Sequence, residues 1–65
     1  MTREEFVQYT MDNFEVSGEF IRLLDNVLQF VEGMGMEEDD VHRFLCVLLN
    51  GTVGYSENEI KQINL

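Results

Sequence analysis

Residues 19–49 read EFIRLLDNVLQFVEGMGMEEDDVHRFLCVLL, two apolar segments joined by Gly33-Met34-Gly35. In the first segment Phe20, Leu23, Leu24, Val27, Leu28 and Val31 fall at i, i+3, i+4, i+7, i+8 and i+11. That spacing is the stripe of an amphipathic helix and not the alternation of a strand. Arg22, Asn26 and Gln29 occupy the opposite side, while Ile21 and Phe30 widen the apolar face, so this helix is expected to be the most buried one. Ser17 is placed as its N-cap, where a hydroxyl accepts from a free amide of the first turn. Val16 and Ile21 then occupy the staple positions. Gly33 or Gly35 supplies the positive φ that ends such a helix.

The second segment repeats the logic with Val41, Phe44, Leu45 and Leu48 at i, i+3, i+4 and i+7. Glu37, Glu38, Asp39 and Asp40 crowd its first turn, where the positive end of the helix dipole favours carboxylates. Asn50-Gly51 is a stop signal. The unbroken apolar run Phe44 to Leu49 could also be a buried strand. The acidic start, the glycine stop and the lack of a partner strand in the chain favour helix.

Working outward, Thr2-Arg3-Glu4-Glu5 matches a capping box, with Thr2 as N-cap, Glu5 reaching back, and Met1 and Phe6 as the staple. A first helix over about 3–16 follows, with Val7, Met11 and Phe14 as its apolar stripe and Phe6 and Tyr9 or Thr10 beside it. After a turn at Gly51-Thr52-Val53-Gly54, Ser56 and Glu59 form a second capping box with Tyr55 and Ile60 as staple. It opens a short helix over about 57–64 that lays Ile60 and Ile63 on the core. The expected fold is all-α: one domain over 1–65, with main helices at about 3–16, 18–33 and 38–50 and a short C-terminal helix.

A 65-residue chain buries only about 60% of its unfolded surface, so packing and caps have little margin. One cysteine excludes an internal disulfide, and no Cys/His cluster suggests structural zinc. The hydrophobic share of 45% is that of a folded domain and argues against disorder. The net charge of −9, from 13 acidic and 4 basic residues, disfavours direct contact with nucleic-acid phosphates or an anionic membrane and suits a basic protein partner. No signal-peptide pattern and no apolar run of about 20 residues occurs. Together with a lone cysteine, this reads as a cytoplasmic protein, complete from Met1.

The candidate chemistry is sparse. His42 and Cys46 lie four residues apart on one helix face, the pairing a small enzyme or enzyme subunit would need. The apolar flanks of Cys46 instead favour a structural thiol, and His42 reads as a surface residue. Glu37 to Asp40 are consecutive and so do not alternate oxygen ligands as a calcium loop does. Helix two, the glycine corner and helix three mimic a helix-turn-helix, but a reading helix that begins with four acids does not suit DNA. Gly33-Met34-Gly35-Met36 is too short for a phosphate loop; its methionines pack over the core or serve as adaptable contacts. The caps and stripes match no family signature.

No catalytic residue, cofactor or metal is assigned. The expected function is an interaction module without catalytic activity. In its narrower form it is an inhibitor or regulator of a basic nucleic-acid-binding protein, of the size and charge common among phage and mobile-element proteins. The partner-binding residues are expected to be Glu37, Glu38, Asp39, Asp40, Phe44, Val47 and Leu49. The apolar surplus on helix three predicts a homodimer with part of Phe44, Val47 or Leu49 at its interface.

Overall fold

Three of the four described helices begin where a side chain accepts from a free amide; the third, which follows Glu37, has no side-chain cap bond and opens on acidic residues instead. The computed structural model describes residues 1–51 and 53–65; the expected turn at 51–54 thus falls partly outside the described residues, at Thr52. Among the described residues the order is α1 (Arg3–Asn13), α2 (Gly18–Met34), α3 (Glu38–Asn50) and α4 (Glu57–Ile60), with no strand. This is the all-α bundle of three main helices and a short fourth. Thr2 accepts from the Glu5 amide at 3.2 Å while Glu5 accepts from the Thr2 amide at 3.0 Å. Ser56 and Glu59 form the same reciprocal box on α4, and Ser17 caps α2 by accepting from Phe20 N at 3.1 Å. At the far end of α2, Gly35 takes φ +67°, the left-handed conformation that only glycine adopts without strain.

Two boundaries differ from expectation. The first helix stops at Asn13 rather than near residue 16: Phe14 is extended at φ −134°, although its N–H still donates to Thr10 O. The reason is aromatic. Phe14 turns toward Tyr55, with ring centroids 4.6 Å apart, and Tyr55 also stacks on Phe6 at 5.1 Å. The last helix stops at Ile60 rather than near 64. A turn closed by Ile63 N donating to Ile60 O aims Ile63 into the core. Asn64 N then donates to Met1 O at 2.7 Å, and Met1 N donates to Gln62 O, clasping the two ends of the chain.

The core is Phe6 from α1; Leu24, Leu28 and Val31 from α2; Val41, Leu45 and Leu49 from α3; and Tyr55, Ile60 and Ile63 from the C-terminal segment. α1 packs on α2, and α4 on α3. Arg3 ties the first pair by reaching Asp25 and, at 3.7 Å, Glu32.

The α1 stripe is rotated from the one expected. Phe6 and Thr10 face inward, Val7 and Phe14 are half-buried, and Met11 is exposed. α2 is not the most enclosed helix, because the core takes only Leu24, Leu28 and Val31 from its wide apolar face. Leu23 and Phe30 are left 59% and 68% exposed.

Candidate functional site

α2 and α3 each carry more apolar surface than the core accepts, and the surplus meets along one side. Val27, Phe30, Val31 and Met34 of α2, Met36 of the connecting corner and Phe44 of α3 line an open groove of about 520 Å³. Among the described residues, Asn26 is its only polar lining residue. Phe30 is 68% exposed, Met34 57% and Phe44 42%. A soluble surface rarely leaves large apolar side chains contiguous unless something docks on them.

α3 continues this face outward. Glu37, Asp40, Phe44 and Val47 are spaced three, four and three apart, so they share one side of the helix and its cap, and all are exposed. Val47 is 80% exposed. The stripe is acidic at its N-terminal half and apolar at its C-terminal half. Arg43 lies 3.7 Å from Asp40 and offsets part of that charge.

Of the seven expected partner-binding residues, Glu37, Glu38, Asp39, Asp40, Phe44 and Val47 are at the surface. Leu49 is not: it is fully buried, one turn after Leu45 in the core line Val41-Leu45-Leu49, and is corrected to a core residue. Phe30, Val27 and Met36 were absent from the expected site. For Val27 and Phe30 the sequence signal was an apolar arc on α2 too wide for a small core to absorb, and for Met36 it was the adaptable methionine of the glycine corner.

The second candidate lies on the other side of α3. His42 and Cys46 line one groove of about 560 Å³ with Asp39, Arg43, Asn50, Glu57, Lys61 and Val47. His42 is not the surface residue expected from sequence. Its side chain is only 12% exposed, and the ring Nε2 is 3.4 Å from Ile63 O and 4.0 Å from Glu38. Those contacts fix the ring against the C-terminal segment. Cys46 is half-buried and packs against the core, as a structural thiol does. Among the described residues, no three of His, Cys, Asp and Glu stand close enough to hold a metal ion. None of the described helices is long and apolar enough to cross a membrane.

The shifted titrations belong to the architecture. Tyr9 donates to Glu59 Oε2 at 2.6 Å, which raises the Tyr9 phenol and, with the Ser56 bonds, lowers the Glu59 carboxyl. Burial pushes the Tyr55 phenol up. The Thr2 bonds lower Glu5. None of these groups lines the apolar groove.

No protein-family model, curated protein sequence or solved structure matches this chain.

Proposed function

We propose that this chain is a small acidic cytoplasmic protein-interaction module without catalytic activity, which works by seating a protein partner on the face between α2 and α3. The observation that carries the reading is the groove of Phe30, Met34 and Phe44, exposed side by side with almost no polar lining. Recognition by such grooves draws on apolar burial, with flexible methionines adapting to the guest. The net charge of −9 supports the narrower form, an inhibitor or regulator of a basic nucleic-acid-binding protein. A second copy is the self-directed occupant of the same face, and homodimerisation is the corresponding form of the proposal.

The test is quantitative capture from native lysate with wild type, Phe30→Ser and Cys46→Ser side by side. All three should give the same helical circular dichroism, since Phe30 is exposed and Cys46→Ser is nearly isosteric. A partner retained by wild type and Cys46→Ser but lost by Phe30→Ser supports the reading. Retention that ignores Phe30 and fails with Cys46→Ser moves function to the other groove. The second reading, an enzyme or enzyme subunit using His42 and Cys46, is favoured by their lining one cavity. It requires native-state reactivity of Cys46 toward a thiol reagent.

A further inference from the structure

Shape and charge together select the occupant of the apolar groove. Along α2 its lining runs from Asn26 to Met34, a rise of about 12 Å at 1.5 Å per residue. That length accommodates two turns of a docked helix, enough for apolar anchors at i, i+3 or i+4, and i+7. Apart from Asn26, the lining is two phenylalanines, two methionines and two valines, apolar and deformable. The edge on the α3 side is anionic, because Glu37 adjoins Met36 and Asp40 lies one turn before Phe44. Of four cationic side chains, only Arg43 stands at this edge, where it offsets part of the Asp40 charge; Arg3 is paired with Asp25 and Glu32, Lys61 with Glu57, and Arg22 lies beside Gly18 and Asp25.

We infer that the groove takes an amphipathic helix whose apolar stripe is flanked by lysine or arginine. This deepens the interaction-module reading and rests on it. The apolar stripe fills the space between Phe30, Met34 and Phe44. The flanking cations meet Glu37 and Asp40. A second copy fits less well. It carries the same −9, and a two-fold contact through this face would bring like-charged edges toward each other. An acidic or phosphate-bearing partner meets the same repulsion.

The experiment uses the full chain, isotopically labelled for NMR, and three synthetic peptides of equal length. The first is a helical Leu/Lys peptide with leucines at i, i+4 and i+7. The second has the same leucines with glutamates for lysines, and the third scrambles the first so that no apolar face remains. Sedimentation is run in parallel. The Leu/Lys peptide should bind, shifting resonances of Phe30, Met34 and Phe44. Phe30→Ser should weaken it at least about tenfold without changing the fold. The double variant Glu37→Gln/Asp40→Asn should also weaken it, by a factor that shrinks as salt rises past about 0.15 M, where screening acts within about 8 Å. Equal binding of the Leu/Glu peptide would overturn the inference while leaving a docking groove in place. Equal binding of the scrambled peptide would overturn it as well, because charge alone would then suffice. A dimer that Phe30→Ser dissociates, with no peptide bound, would make a second copy the occupant and overturn it. A monomer that binds none of the three would remove both this inference and the groove as an interaction site.

Discussion

Thr10 is the one buried polar residue among the described residues, and its single hydroxyl proton is already committed. It donates to Phe6 O at 2.9 Å, back along its own helix. In its bond with the Tyr55 hydroxyl it must therefore accept, and Tyr55 donates. This ties the C-terminal segment to α1: Tyr55, 1% exposed, is stacked on Phe6 and hung from Thr10. Thr10→Val keeps the side-chain shape but leaves the Tyr55 hydroxyl without a partner in the interior. We expect a loss of about 1–3 kcal/mol in a denaturant melt, the usual cost of an unsatisfied buried group. Adding Tyr55→Phe removes the orphaned hydroxyl as well, so the double variant should be more stable than Thr10→Val alone. A double variant that is the less stable of the two would mean that the pairing is not what holds Tyr55. Nothing in the sequence pointed to this pair. Thr10 looked like an incidental neighbour of the α1 stripe, and a separation of 45 positions lies beyond any local periodicity.

At the level of the helix, legibility followed the range of the interaction. Thr2, Ser17 and Ser56 were readable as N-caps because a cap acts over three residues, and each accepts the expected amide. Ser17→Ala should cost about 1 kcal/mol, seen as a lower midpoint in a circular dichroism melt with unchanged helical content before the transition. An unmoved midpoint would mean that the α2 amides are satisfied by water equally well. Phe14 was not readable, since its departure from helix is fixed by a ring contacted 41 positions later in the chain, at Tyr55. The candidate site was legible in part for the same reason. Periodicity shows that α2 and α3 have broad apolar arcs but not which sector each turns inward. The core took Leu24-Leu28-Val31 and Val41-Leu45-Leu49, lines spaced three and four, and left Phe30 and Phe44 outside. Leu49 was placed on the wrong side by a similar ambiguity: six consecutive apolar residues wrap the whole cylinder, and only packing against α4 and its flanks decides which are enclosed.

For the molecule as a whole, 65 residues without a disulfide leave stability sensitive to protonation. Tyr9 and Tyr55 have folded-state values above the ordinary phenol, Tyr9 through its bond to Glu59 and Tyr55 through burial. Their contribution is therefore complete below about pH 10 and is lost as pH rises through the folded values. Glu5 and Glu59 are lowered, Glu5 by Thr2 and Glu59 by Tyr9, so their contribution is present above the ordinary carboxyl range and fades as pH falls through the folded values. The two tyrosines and the absence of tryptophan make the alkaline arm easy to read by ultraviolet absorbance. Tyrosinate should appear later than in free tyrosine and together with the loss of helical circular dichroism. Free-tyrosine behaviour of both rings, with the helices intact, would contradict the enclosure of Tyr55.

The clasp between Met1 and residues 62–64 also has a mechanical meaning. Because the two ends lie side by side, tension applied across them loads those few hydrogen bonds first and in sequence, as a zipper is opened, rather than shearing all the helices together. The chain is thus built to yield to small forces at its ends while its interior, held by side-chain packing rather than by strands in register, gives way only after the seam has parted.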